Sequence, residues 1–439
     1  MTSNRPNRAP EVQVAPKEAY VWIWLPQALE PVVAGRIARK GQTYVFNYGR
    51  SYLDREDAIA IYAPELLLKR GAITPEPPLD MAGALRDGSP DAWGRRVIIN
   101  RLTGLKGAAS YNVEFDELTY MLNSSSDRIG ALDFQSSPNQ YQPREQESAT
   151  MEELLEAAQR VDRGEPIPPS LDKALFHGSS IGGARPKALI QDGDQKFIAK
   201  FSATNDTYAV VKAEYVAMRL AQEAAGLNVA QVRLTKASGK DVLLVERFDR
   251  VCVAGGWTRR AMVSALTLFG LSEMQARYAS YSDLAHIVRA QFTEPQATLR
   301  EIFGRIVFNV LVGNTDDHAR NHAAFWDGFY LTLTPAYDIC PQPRTGREAN
   351  QAMLIQSGIQ GDDRRSRLET CRLSGSTFLI TDREAREIIH NQITGIRNAW
   401  NRICDEAELS KVDRAFLWKR QFLNDYSFQD YKDNAQINS

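Results

Sequence analysis

The sequence predicts an α+β, bilobal fold preceded by a separate β-rich α+β unit. Three observations carry that expectation. β-branched and aromatic runs bounded by turn residues crowd residues 20–70. Short strand signals recur between 187 and 246, interrupted by one long helical stretch. From about residue 260 the periodicity becomes mainly helical, and polar residues cluster where the two regimes meet. A small β-rich lobe followed by a larger helical lobe, polar at the junction, is the layout of a nucleotide cleft.

Residues 1–18 lack the apolar core of a signal peptide and predict a disordered arm. Tyr20–Leu25 and Tyr44–Tyr48 read as strands. Ser89-Pro90-Asp91 reads as a helix start, with Ser89 as N-cap, Pro90 at the first helical position and Asp91 as an early acid. Trp93, Val97 and Leu102 then face a core, and Gly104 ends the helix. Phe115–Asn123 predicts a second helix and Gly130–Phe134 a closing strand, which completes a unit over 19–135. Residues 136–176 read as a linker that contains a helix over Met151–Arg163 and the breaker Pro166-Ile167-Pro168-Pro169.

The small lobe is expected over 177–250. Its glycine-rich segment Gly178–Lys187 leads into strands Lys187–Gln191 and Lys196–Phe201. The helix Val210–Ala225, ended by Gly226, and the strands Val229–Leu234 and Val242–Glu246 follow. The helical lobe spans 251–430, and 431–439 form a tail. Ile302, Phe303, Ile306, Val307, Val310 and Leu311 make a stripe on Leu299–Val312. Ile389, Ile393, Ile396, Trp400 and Ile403 repeat at spacings of four and three, so both stripes predict packing.

The bulk composition removes several function classes. A chain of 439 residues with 43% hydrophobic and 24% charged residues is ordinary for a globular protein of two or three domains. A net charge of −1 provides no global field for nucleic acid or membrane. Cys252, Cys340, Cys371 and Cys404 lie far apart without a CxxC pair, which argues against a zinc ribbon or redox dithiol. So few cysteines fit a reducing cytosol, and no apolar run approaches the ~18 residues of a spanning helix. A cytoplasmic protein with no membrane contact is expected.

The chemistry concentrates in Asn314-Thr315-Asp316-Asp317-His318-Ala319-Arg320-Asn321 and in Pro335-Ala336-Tyr337-Asp338. Asp316 should sit on a loop where a buried helix ends at Gly313. His322–Phe325 and Phe329–Leu333 predict a hairpin across Trp326-Asp327-Gly328, which returns Asp338 to the side of Asn321. The order Asp, Asn, hairpin, Asp is that of a phosphoryl-transfer centre: Asp316 for the hydroxyl proton, Asn321 and Asp338 for Mg2+. Taken singly, each could be an ordinary turn or cap residue. His318 and His322 are four apart, but no carboxylate completes an HExxH arrangement, and His318 reads as a loop histidine bracing Asp316.

Three other segments supply what such a centre needs. The glycine-rich segment is neither a Walker A loop nor GxGxxG, yet its glycines would let backbone N–H groups approach phosphate. Strand alternation puts Phe197, Ala199 and Phe201 on one face and Lys196, Ile198 and Lys200 on the other. Lys200 is therefore the candidate phosphate-binding lysine, with Glu214 on the next helix as its ion-pair partner. Val245–Arg250 ends the last strand before the helical region, where a hinge would read adenine; alone it could be a charged strand end.

With these segments in order, the chain resembles the HipA family of bacterial toxin kinases. The resemblance covers nearly the whole chain, from about residue 20 past 400. It rests on Leu85–Arg96, Ser126–Ala131, Ser180–Lys187, Glu246-Arg247-Phe248-Asp249-Arg250, Asn314–Asn321 and Pro335–Asp338, the last three being the most specific. It implies a bilobal protein-kinase-like fold, distantly similar to phosphoinositide kinases. It implies Asp316 as catalytic base, Asn321 and Asp338 on Mg2+, and His318 among the ATP-site residues. Gly182, Gly183, Ala184, Arg185, Pro186, Lys187 and Lys200 would hold the phosphates, and Glu246, Arg247 and Phe248 would meet adenine. Ser180 is implied as an autophosphorylation site, with the adjacent Ser179 as the alternative. Protein substrates phosphorylated on serine, aminoacyl-tRNA synthetases among them, growth arrest, a HipB-like helix-turn-helix antitoxin, and operator DNA through that antitoxin are also implied.

Two positions depart from the family pattern. Arg185 replaces a common glutamine and could add a phosphate contact, and Asp317 replaces a common glycine and could add negative charge near the cleft. Two alternative functions stay open from the sequence: a small-molecule kinase of the same fold, and a catalytically silent co-repressor.

Overall fold

The computed structural model describes residues 15–103, 113–144, 149–163, 165, 171, 185–202, 206–344, 346–357 and 361–432. Residues 1–14 of the expected N-terminal arm and Gly178–Ala184 fall outside them, as does most of the tail, while Glu18 of that arm already begins the first strand.

The N-terminal unit is built on an antiparallel sheet of order β3-β2-β1-β4, where β1 is Glu18–Ile23, β2 Val32–Lys40, β3 Thr43–Tyr48 and β4 Leu132–Gln135. Alternation on β1 buries Ala19, Val21 and Ile23 on one face. β2 crosses β3 so closely that a Cβ on Gly35 would lie 2.2 Å from the Asn47 carbonyl oxygen, and only glycine fits there. The helix α1 is Ala92–Thr103, not a helix that begins at Pro90. Arg95 N–H bonds the Asp91 carbonyl at 2.8 Å, so Asp91 occupies the N-cap position. Ser89 is not the cap because its hydroxyl donates instead to Glu117, 2.7 Å away at the start of α2 (Glu117–Asn123).

The next sheet has order β5-β6-β8-β7, all antiparallel, with β5 Lys187–Asp192, β6 Gln195–Phe201, β7 Val232–Ala237 and β8 Lys240–Glu246. Its outer face is covered by α3 (Met151–Arg163), through Leu154 and Leu155, and by Trp93 and Val97 of α1. Phe197, Ala199 and Phe201 point into that core, as their alternation predicts. The inner face packs on α4 (Val210–Glu223), which joins Leu243 and Val245 in the main core.

In the helical lobe, α5 (Tyr281–Gln291), α6 (Pro295–Val312) and α7 (Asp382–Glu406) surround the second half of that core. α6 starts with proline at its first turn and ends at Gly313 with φ +69°, a left-handed C-terminal turn. Thr381 and Glu384 form a capping box at the start of α7. Both expected stripes are buried. Phe303, fully buried on α6, anchors the lobe, so Phe303→Ala should cost about 3–5 kcal/mol, measured by urea unfolding. This region also carries strands that its helical periodicity hides: β9 (Arg250–Val253), β10 (Gly256–Arg259) and β11 (Met262–Ser264). β11 pairs with the hairpin β12 (Ala323–Trp326) and β13 (Leu331–Leu333), making a three-stranded sheet of order β11-β12-β13.

Candidate active site

Below Gly313 the chain makes a tight loop that divides neighbouring carboxylates between two environments. Asp316 is exposed, while Asp317 is buried. The Asp317 carboxylate accepts hydrogen bonds from Asn309 Nδ2 at 2.7 Å and from Tyr281 Oη, and lies 2.9 Å from His322 Nε2. Three polar groups from the helical lobe hold the Asp317 carboxylate inward, so its negative charge acts on the site from behind Asp316 and not from the cavity wall. Burial alone would raise its pKa, but His322 and Tyr281 bring it below the usual carboxylate range.

The loop closes on itself through backbone bonds. His318 N–H bonds the Asp316 carbonyl at 2.8 Å, and Asn321 N–H bonds the His318 carbonyl at 2.8 Å. Asn321 Nδ2 also donates to the Asp316 carbonyl at 3.1 Å, so Oδ1 is the Asn321 atom left for a cation. His318 borders a cavity, and its backbone N–H and carbonyl are what brace the loop. His322, the other histidine of the pair, is buried at Asp317.

The β12–β13 hairpin returns the chain as expected. Ala336 exchanges backbone bonds with the segment before β7, from its N–H to Asn228 and from Ala230 N–H to its carbonyl, at 2.8 and 2.9 Å. Two residues on, Asp338 takes φ +59°, a left-handed conformation that Asp tolerates better than most residues. Lys200 of β6 bridges Asp338 and Glu214 of α4. Burial alone would neutralise Lys200, but the two carboxylates reverse that and hold it charged. Burial likewise opposes ionisation of Asp338, and Lys200 with Lys187 holds its carboxyl well below the usual range.

A cavity of about 250 Å³ lies between the lobes and the N-terminal unit, with neither Asp316 nor Glu214 in its wall. Lys187, Lys200, Glu246, Arg247, Phe248, His318, Asn321 and Asp338 all border it. Arg185 does not: its guanidinium is 2.6 Å from Asp206. Pro186 is buried beside β6, its carbonyl accepting from Phe201 N–H at 3.2 Å. Gly182, Gly183, Ala184 and Ser180 lie outside the described residues. The Arg247 side chain cannot meet a base, since it is fully buried and bound to Asp127 and Asp249.

The sequence reading missed several residues of the wall. Asp87, Ser89 and Asp91 reach the cavity from the N-terminal unit, and Tyr337 and Arg320 from the helical lobe. Ser89-Pro90-Asp91 was a signal, but one with a sufficient explanation as a helix start. Tyr337 Oη donates to the Arg320 carbonyl at 2.7 Å and ties Asp338's segment to the 314–321 loop. Among the described residues, no three His, Cys, Asp or Glu side chains gather as a metal site, and no helix is long and apolar enough to cross a membrane.

The sequence profile of the HipA-like C-terminal domain matches residues 179–400. The protein Y4mE of Sinorhizobium fredii is 31% identical over 147 residues, which cover 32% of this chain and 33% of that protein. The serine/threonine-protein kinase toxin HipA of Shewanella oneidensis is 27% identical over 184 residues, 36% of this chain and 42% of that one. The chain thus spans a third to two fifths of the length of these two relatives. A solved complex of HipA, HipB and operator DNA from Shewanella oneidensis MR-1 contains a chain with the same fold. Its TM-score is 0.65 at 18% identity, covering 90% of this chain and 97% of that one.

Proposed function

We propose, from the premise that this chain belongs to the HipA-like C-terminal domain family, that it is an ATP-dependent kinase acting on protein serine or threonine hydroxyls as a bacterial toxin. One observation carries the reading: Lys200 bridges Glu214 and Asp338 at the cavity that Asn321 also borders, beside the exposed Asp316.

Each group has a role that its surroundings suit. Lys200, kept charged, holds the ATP phosphates, and Glu214 fixes its ammonium. Lys187 completes the phosphate side, and Gly182, Gly183 and Ala184 keep the phosphate role that the family resemblance implies. Glu246 and Phe248 border the adenine end; the Glu246 and Arg247 N–H groups already bond Gln231 and Lys196 carbonyls, so Arg247 serves the hinge rather than the base. Asp338 offers an ionised carboxylate and Asn321 an amide oxygen, a hard-oxygen pair that fits Mg2+. Bound Mg2+ neutralises the charge that develops on the transferring phosphoryl group. Asp316 takes the proton of the attacking hydroxyl.

The Asp316 pKa lies above the usual carboxylate value. Surrounding protein raises it, His318 opposes, and the charges of Asp338 and Asp317 add to the rise. A base must be unprotonated, so activity should fall as pH drops through that raised value. The acid limb of a kcat–pH profile is expected above the roughly 3.9 of a free aspartate, and its displacement in Asp316→Glu would tie it to this residue.

The finer reading follows the same premise. The substrate belongs to the translation machinery, such as an aminoacyl-tRNA synthetase, and its modification arrests growth. Ser180 receives phosphate in trans, and the roughly 1.5–2 negative charges added there would repel ATP. A HipB-like antitoxin binds the chain and carries it to operator DNA; the HipA–HipB–operator assembly of the structural relative supports that partner. Purified protein should label a lysate protein from radiolabelled ATP. Labelling of metabolites alone would favour a small-molecule kinase, and absence of Mg-ATP binding would leave only the silent co-repressor.

A further inference from the structure

Two segments prominent in the sequence have no part in phosphoryl transfer: Ser126–Ala131 in the N-terminal unit, and the Arg247, Asp249 and Arg250 side chains after β8. They grip each other across about 120 residues of chain. Asp127 Oδ1 accepts from Arg247 at 2.9 Å and from Arg250 at 3.0 Å, and Oδ2 from Lys196 at 2.9 Å. The Arg128 carbonyl accepts from both arginines. In return, Asp249 accepts from Gly130 N–H at 2.8 Å, where φ of +76° calls for glycine. The arginine side chains are at most 1% exposed. Burial would favour a neutral Asp127, but Arg247, Arg250 and Lys196 hold its carboxyl well below the usual range.

The same two segments also border the nucleotide cavity. Ile129, Gly130 and Ala131 form wall on one side, and Glu246 and Phe248 on the other. Hydrogen bonds and ion pairs thus tie these two stretches of cavity wall to each other.

We infer that Asp127 is a positioning residue for the nucleotide hinge, and that seating of the N-terminal unit on the hinge is coupled to ATP binding. This rests on the kinase reading above. By reciprocity, ATP tightens the seam, and a partner that pulls the N-terminal unit away weakens ATP binding.

The test is Asp127→Asn in the full chain. ATP affinity is measured by calorimetry, KM and kcat on a labelled substrate, and folding by thermal melting. The expected result is a Kd and KM for ATP raised about fivefold or more, the lower end of typical site-to-site coupling, with kcat at saturating ATP within about twofold of wild type. An unchanged Kd in folded Asp127→Asn, with wild type binding normally, overturns the inference but leaves the kinase reading intact. Wild type that binds no nucleotide removes both. If Asp127→Asn does not fold, hydrogen exchange on wild type decides. Slower exchange at 127–131 with ATP supports the coupling, and unchanged exchange overturns it.

Discussion

Asp316→Ala is expected to lower phosphoryl transfer by about 10²–10⁴, the usual contribution of a positioned proton acceptor. Mg-ATP affinity should stay within about twofold of wild type, because Asp316 touches neither of the charges that hold the nucleotide. The fold should survive as well. Asp316 is exposed, and the loop is held by backbone bonds and by Asp317, not by the Asp316 carboxylate. Single-turnover kinetics with a saturating nucleotide measure the first quantity, and calorimetry the second. Equal turnover in the variant and wild type would remove Asp316 from the chemistry. Asp317→Asn should do the opposite: it disturbs the buried hydrogen-bond set, and stability falls first.

Lys200→Ala should damage both binding and the fold. Losing a charge-assisted contact to phosphate costs about 1.5–3 kcal/mol, or roughly ten- to 150-fold in Kd for ATP. Removing the ammonium also leaves Glu214, 4% exposed at its side chain, without its ion partner. Breaking a buried pair in this way typically costs about 3–5 kcal/mol. The effects separate in Lys200→Met/Glu214→Gln, which removes the stranded charge. That variant should regain most of the melting temperature and none of the ATP affinity. Recovery of affinity would show that Lys200 acts only on the fold.

How far the sequence could be read depends on the range of each contact. Lys200 was legible because strand alternation is local: Phe197, Ala199 and Phe201 bind the outer core, and Lys200 must face the other way. Asp338 was legible because a hairpin with a short turn returns the chain at a fixed distance. Asp317 was not, since its orientation is decided by Tyr281, Asn309 and His322, which come from three separate elements. The burial of the Arg247 side chain was not legible for a similar reason: it bonds Asp127 and the Arg128 carbonyl in another unit. β2 escaped individual notice because Gly35 and charged residues break its alternation, although the close approach of β3 is what requires that glycine. β11 is three residues long and draws its identity from pairing with β12, some sixty positions later. The site's composition was therefore easier to read than the division of labour within it.

The ion pair between Lys200 and Asp338 joins positions 138 residues apart. During synthesis at about 5–20 residues per second, Lys200 leaves the ribosome many seconds before its carboxylate partner. The catalytic loop and the hairpin follow in that interval, and α7, which closes the core, comes later still. A nascent or prematurely terminated chain ending before Asp338 carries the hinge and the lysine but no complete site. The proposed site thus cannot assemble until the chain has been made as far as Asp338, and shorter translation products lack it.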